Sequence, residues 1–309
     1  MAVRAQELSG GQHPVRRAAR AQSRPWVFLV IPLMAMAIVA FVPLFYAIYI
    51  ATHRIILAAP GLERSFVGLD NFARVLSAER SLNAFGVTFN LLVLSVGLSV
   101  LIGLPIAVLI YSHFRARAWL AVLLIIPMAI PKVVAALVWN ILYNPLIGVI
   151  NYGLSVIGLP EVNWLSDSTN ALLAIAIVDA WQWAPFVILI LLAGLEAVPG
   201  NFYEAAAIEG ANPLQMFRHI TFPLLRPFLT VAVIFRAIDS LRTFDYVFIL
   251  TKGGPGVSTE TVDIYAYHIG ITESGDISTA TAAALILLVL TIIGVTIWVR
   301  LMRWGEEYF

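Results

Sequence analysis

Apolar residues run along this chain in six long blocks separated by shorter polar connections. The blocks cover residues 26–50, 88–111, 119–142, 171–195, 225–250 and 278–301. A helix needs roughly 20 mostly apolar residues to cross the hydrocarbon core of a bilayer, and each block meets that length. The pattern predicts an all-α integral membrane protein with about six transmembrane helices. The first block follows several arginines, as a signal peptide would. Its apolar stretch is about twice a typical signal core and continues past Ala35-Met36-Ala37, so it reads as an uncleaved first span. The domain reading is a cytoplasmic tail at 1–25, a transmembrane domain at 26–305 and a short tail at 306–309.

Charge supplies the orientation, because basic residues collect on the cytoplasmic side. With the N-terminus inside, the inner segments hold Arg4, Arg16, Arg17, Arg20, Arg24, Arg115, Arg117, Arg218, Arg226, Arg300 and Arg303. The outer segments hold Arg54, Arg64, Arg74, Arg80 and Lys252. That asymmetry places both termini in the cytoplasm.

Composition agrees with a lipid solvent. Hydrophobic residues make up 61% of the 309 and charged residues 12%, against about 45–50% and 25% in soluble domains. The net charge of +1 and the lack of a dense basic patch give no reason to expect nucleic acid. Cysteine is absent, which excludes thiol catalysis, disulfides and Cys-ligated metals.

The connections carry turn and cap signals. Asp70 or Asn71 is placed to cap a short surface helix in the first outer loop. Asn144-Pro145 and Gly158-Leu159-Pro160 mark turns in the second, and Gly253-Gly254-Pro255-Gly256 stops a helix in the third. The inner loop 196–224 predicts two short helices with a tight joint. Asn201 and Glu204 have the spacing of a helix start, and Gly210 fits the position just past the end. Asn212-Pro213 begins a second helix with Leu214, Phe217 and Ile220 as an apolar stripe, and Pro223 closes it.

Within that loop stand Glu204-Ala205-Ala206, then Gly210, then Ile220-Thr221-Phe222-Pro223. The spacing resembles the EAA loop of ABC importer permeases, with Phe222 in place of the usual Leu. The first-loop segment Phe66-Val67-Gly68-Leu69-Asp70-Asn71-Phe72, Gly148-Val149-Ile150-Asn151 and the run from Phe244 to Pro255 look like the carbohydrate branch, the maltose and glycerol-3-phosphate type. The resemblance covers about residues 25–305 and implies the type I importer permease fold in a bacterial inner membrane. It implies that 199–223 is a coupling loop, with Glu204, Ala205, Ala206, Gly210, Phe217, Ile220 and Pro223 docking on an ATPase. It also implies a second permease subunit in a heterodimer, two ATP-binding-cassette subunits and an extracytoplasmic solute-binding protein. A phosphate-cradling loop needs Gly-Lys-Ser/Thr, and neither Lys132 nor Lys252 fits. ATP and Mg are therefore expected on the partner ATPase, with no cofactor in this chain.

Ionisable groups inside a bilayer are costly and mark function or structure. Arg236, Asp239, Arg242 and Asp245 recur every third residue with alternating sign. They read either as a structural ion-pair ladder or as part of a translocation path. Asp179, Trp181, Gln182 and Trp183 combine aromatic faces with hydrogen-bonding groups, which suits a sugar and equally suits packing. Pro127 and Pro131 predict a kink. Lys132 beyond it reads as a snorkelling lysine or an anion contact, and Asn140 and Asn144 are further polar candidates. The expected function is half of a sugar path working by alternating access. The alternatives are a permease for a non-sugar solute and a secondary transporter. An intramembrane enzyme is disfavoured, since HExxH, GxSxG and cysteine are all missing.

Overall fold

The computed structural model describes residues 25–57, 64–113 and 117–303. The tail expected at 1–25, apart from Pro25, and that at 306–309 lie outside the described residues. The chain divides after Tyr46 into two units. The first unit holds most of α1 (Pro25–Thr52), which is apolar around its circumference and tolerates Pro32 and Pro43 internally, as spans surrounded by lipid do.

The second unit is a helical bundle. A two-residue antiparallel ribbon, β1 (His53–Arg54) with β2 (Ser65–Phe66), leads to α2 (Asp70–Ser77) and the long span α3 (Glu79–His113). Then come α4 (Arg117–Ala129), α5 (Lys132–Leu142), α6 (Val149–Val156) and α7 (Ser168–Glu196). The hairpin α8 (Asn201–Ile208) and α9 (Pro213–Met216) follows, and α9 runs through a π-helical turn (Phe217–Thr221) into α10 (Phe222–Ser240). The chain ends with α11 (Phe244–Leu250), α12 (Val262–Tyr267), a second π-helical turn (His268–Glu273) and α13 (Ile277–Arg303).

Among the described residues five helical stretches are long and apolar enough to cross a membrane: Leu29–Thr52, Glu79–Ser112, Ser168–Glu196, Pro213–Ser240 and Ile277–Met302. The bent pair α4 and α5, at 91° to each other, makes a sixth when the two are counted as one span. The expectation of about six spans is met by five long helices and this bent pair, with two corrections. The block 225–250 is not one helix, since α10 stops at Ser240 and α11 restarts at Phe244. Pro223 does not close a short helix either. It sits in the first turn of α10, where a missing N–H is tolerated, so the second short helix of the inner loop runs unbroken into the span.

Helix α7 is the axis of the bundle. Its buried residues include Ala174, Ile175, Asp179, Gln182, Val187, Leu191 and Leu195. They pack on α3, α5 and α11 in one core cluster and on α3 and α10 in another. Small residues permit the approach, as is usual between helices in lipid. A Cβ on Gly103 would lie 2.9 Å from Val187, and one on Gly194 would lie 2.6 Å from Phe228. The Asp167 carboxylate caps the start of α7 by accepting from Thr169 and Asn170 N–H, both at 3.0 Å.

The short helix expected in the first outer loop exists as α2, but neither Asp70 nor Asn71 caps it. Leu69 is its N-cap. Asn71 is fully buried and donates to the Ala51 and His53 carbonyls at 2.8 and 2.9 Å. The turn signals hold: Asn144 Oδ1 accepts from Leu146 and Ile147 N–H, and Gly158 has φ +77°.

Candidate functional site: a charge network at two helix breaks

The bend between α4 and α5 begins with proline chemistry. Pro131 has no N–H and restricts the residue before it; α4 stops at Ala129 and α5 starts at Lys132, so the Ile130 carbonyl lies at the break, outside either helix. The Gln182 amide of α7 donates to it. A second break separates α10 from α11 around Leu241, Arg242 and Thr243. Its freed Arg242 carbonyl accepts from Lys132 Nζ at 3.1 Å. Tyr246, on α11, donates its hydroxyl to Gln182 Oε1. One side chain on α7 therefore serves both breaks. Non-helical backbone at membrane depth is tolerated only with such replacement partners.

The charges lie at the same level. Arg236, on α10, is completely buried. It donates to the fully buried Asp179 of α7, to Asp239 Oδ2 at 3.1 Å, and to Ser99 Oγ of α3 at 3.4 Å. Asp239 also accepts from Lys132 Nζ at 3.2 and 3.3 Å. Two cations and two carboxylates balance, and the network ties α3, α5, α7 and α10 together. The Trp183 ring lies 5.5 Å from Lys132 Nζ and 5.8 Å from the Arg236 guanidinium carbon, within cation–π range. The second Asp179 oxygen, Oδ1, is buried without a partner among the described residues.

The structure brings Lys132, Asp179, Gln182, Trp183, Arg236 and Asp239 together, and it rearranges the expected ladder. Arg236 and Asp239 do pair at i,i+3. Asp239 takes Lys132, not Arg242, as its other partner, because the helix breaks before Arg242 can face it. Lys132 points into the cluster and does not snorkel. Arg242 is exposed and contributes only its carbonyl, and Asp245 lies beyond the break. Trp181 stands apart, edge-on to Trp139 of α5 with ring centres 5.6 Å apart. Asn140 is eight residues along α5 from Lys132, about 12 Å at 1.5 Å per residue. Ser99 and Tyr246 were not singled out from the sequence, and their only signal was a polar atom inside an apolar run.

The hairpin α8–α9 is fixed at both ends. Gly210 has φ +78° and ends α8 with Gly210 N–H to Ala207 O at 3.1 Å and Ala211 N–H to Ala206 O at 2.9 Å. This paired pattern is a Schellman motif. Asn212 and Gln215 then form a reciprocal capping box, both bonds at 2.9 Å. Asn201 is the first helical residue, and Gly200 is the N-cap. Tyr203 Oη and Thr221 Oγ1, 3.0 Å apart, join α8 to the π-helical turn. Ile208 and Leu214 are 88% and 73% exposed, beside a hollow of about 450 Å³ lined by Ala206, Gly210, Met216 and Ile220 among others. Glu204 and Ala205 are exposed as well, whereas Phe217 is half-buried against Phe222.

A second arginine cluster sits at the opposite end of the bundle. Arg80, in the first turn of α3, donates to Glu260 at 2.6 and 2.8 Å and to Glu273 at 2.8 and 2.9 Å. His268 Nδ1 lies 2.8 Å from Glu260. The Arg80 guanidinium holds the Glu273 carboxyl below the usual range. This clamp fastens the segment 251–276 to α3, and no spacing in the sequence pointed to it.

Residues 99–304 match the family described as Binding-protein-dependent transport system inner membrane component. This chain belongs to that family. It is accordingly a multi-pass inner-membrane transport component. The trehalose/maltose transport system permease protein MalF of Thermococcus litoralis is 36% identical over 90% of this permease and 94% of its own length. The sn-glycerol-3-phosphate transport system permease protein UgpA of Agrobacterium fabrum is 32% identical over 87% and 90%. A bacterial ABC transporter involved in import of the acidic polysaccharide alginate has a chain that superposes with TM-score 0.73. It is 24% identical and the match covers 91% of this permease and 96% of that chain, which shows a common fold.

Proposed function

We propose that this permease forms half of the membrane path for a sugar or sugar derivative in an ATP-driven importer. A second permease subunit forms the other half, two ATPase subunits drive it, and an extracytoplasmic binding protein delivers the solute. The observation that carries the reading is mechanical. The hairpin α8–α9 is locked by the Schellman turn and the capping box, and it continues without interruption into α10. From Pro213 to Ser240 the rod is 28 residues, about 42 Å at 1.5 Å per residue. Its far end carries Arg236 and Asp239 and abuts the break before α11. A push on the exposed apolar tip at Ile208 and Leu214 is thus delivered to the charge network and to both helix breaks. Such rigid-body transfer between packed helices suits alternating access.

In this reading 199–223 is the coupling loop, with Glu204, Ala205, Ala206 and Gly210 at the ATPase contact. The loop faces the cytoplasm with both termini, and ATP and Mg act on the partner. Sugar as the solute is supported by the names of the relatives and by the Trp139–Trp181 pair, whose faces suit the apolar side of a sugar ring. An anion contact at Lys132 is disfavoured, because Asp239 already neutralises it.

Replacing Ile208 with Asp tests the coupling surface. Removing one well-placed apolar anchor costs an interface about 1–2 kcal/mol, roughly tenfold in affinity. Co-purification of the ATPase subunits should fall by about that factor while the permease keeps its thermal stability. Unchanged co-purification, together with unchanged transport in Gly210→Pro, would remove the assignment. A binding protein whose ligand is an amino acid or peptide would overturn the sugar reading alone.

A further inference from the structure

The connection from α5 to α7 carries an apolar surface that the transport reading does not use. Between Val133 and Pro160 no side chain is charged; Glu161 is the first. Within that stretch α6 shows Val149, Tyr152 and Val156, at i, i+3 and i+7, on one exposed face. Leu146 and Ile147 extend the face toward α5 and are 92% and 74% exposed. The helix is not a loose loop. Asn151 anchors its other side, donating to the Val162 carbonyl at 3.0 Å and accepting from the Trp164 indole at 2.9 Å.

We infer that α6 lies in the headgroup boundary of the bilayer, with its Val149–Tyr152–Val156 face turned to lipid. The bent pair ending in α5 and the long apolar helix α7 flank it, so it is held at the level where both end. On the preceding helix α5 the exposed residues Leu137, Val138 and Ile141 are apolar too, and α5 belongs to a helix pair apolar enough to lie in a membrane. A helix with one apolar face at that depth partitions into the interface in proportion to the area it buries there. Tyr152 has the amphipathic ring enriched at that level. A docking site for a binding protein that must release in every cycle would carry a polar, charged rim. Here Leu146 to Pro160 offers no charge for one. The result is a lateral anchor that fixes the depth of α5 and α7 beside the two breaks. It does not depend on which solute is carried.

The permease has no cysteine, so single probes report cleanly. Tyr152→Cys, Val156→Cys and Glu161→Cys, each labelled with an environment-sensitive nitrobenzoxadiazole, are placed in the transporter assembled with cysteine-free partners. The vesicles are phosphatidylcholine and phosphatidylglycerol, containing either lipid spin-labelled near the headgroup or aqueous iodide. Probes at 152 and 156 should be quenched by the spin-labelled lipid about threefold more than the probe at 161, and by iodide about threefold less. Iodide quenching equal at all three sites overturns the inference in favour of water. Protection from both quenchers at 152 and 156 overturns it in favour of a protein partner. Val149→Cys repeats the measurement should Tyr152→Cys disturb the helix.

Discussion

Arg236 and Arg80 each hold two carboxylates, yet the two clusters do opposite work. The Arg236 network is shut inside the bundle: the guanidinium and Asp179 are fully buried, and Asp239 and Lys132 complete the balance. The Arg80 cluster is half open, with Arg80 37% and Glu273 46% exposed, although Glu260 beneath them is buried. In the interior, ion pairs hold because every member would be costly alone. At the rim, water can replace the exposed Glu273, whereas the buried Glu260 stays held. One arginine fixes the helices at the breaks, and the other fastens a loop by one buried and one exchangeable bond.

The largest effect should come from Arg236→Met. It leaves Asp179 buried without its cation, and breaking a buried pair in this way costs about 3–5 kcal/mol. Assembled complex recovered from membranes should fall sharply. Adding Asp179→Leu should restore it, because the two apolar residues leave no orphan charge. Normal assembly of the single variant with uptake abolished would instead make these residues path-lining, and the contrast between the clusters would fail.

A smaller and conditional effect is expected at the rim. The Glu273 carboxyl is held below its usual value by Arg80. Its contribution is therefore present above about 4.5, the ordinary carboxylate value, and is lost as pH falls through the lowered one. Hydrogen exchange in 251–276 should rise below that range. It should also rise in about 1 M salt, where exposed charges are screened within roughly 3 Å, while exchange around Arg236 stays unchanged. Arg80→Gln should produce the same exchange pattern at neutral pH. Equal salt sensitivity at both clusters would erase the distinction.

The smallest effect belongs to Arg242→Gln. Its side chain is exposed and makes no ion pair among the described residues, so thermal stability should move by less than about 0.5 kcal/mol. A loss as large as that for Arg236 would restore the continuous ladder.

What the sequence disclosed follows the range of each interaction. Local signals were legible: Pro131 announced the first break, Gly210 the end of α8, and Asn212-Pro213 the start of α9. The second break was not, because Leu241-Arg242-Thr243 contains neither proline nor glycine. A strict three-residue spacing therefore extended the ladder through a helix that stops. The i,i+3 pair of Arg236 with Asp239 was legible, but the long-range partners of Arg236 and Lys132 were not. Asp179 is 57 residues from Arg236, and Asp239 is 107 from Lys132, so only packing reveals which charges meet. Arg80 and Glu260, 180 residues apart, are an extreme case. Pro223 misled for a related reason: proline stops a helix in its interior but is at ease in a first turn.

The balance of the Arg236 network also bears on how the chain enters the membrane. Synthesis delivers Lys132 first, then Asp179, and Arg236 with Asp239 last. An unpaired charge near the centre of an inserting helix costs about 2.5–3.5 kcal/mol. The segment that brings two charges at once, Pro213–Ser240, is also the least apolar of the five long spans, with mean hydropathy 1.5 against 2.0 to 2.7 for the others. On its own it is the poorest candidate for the lipid phase. Arriving fifth, it meets Lys132 and Asp179 already in place, so the order of translation supplies the counter-charges that its own composition lacks.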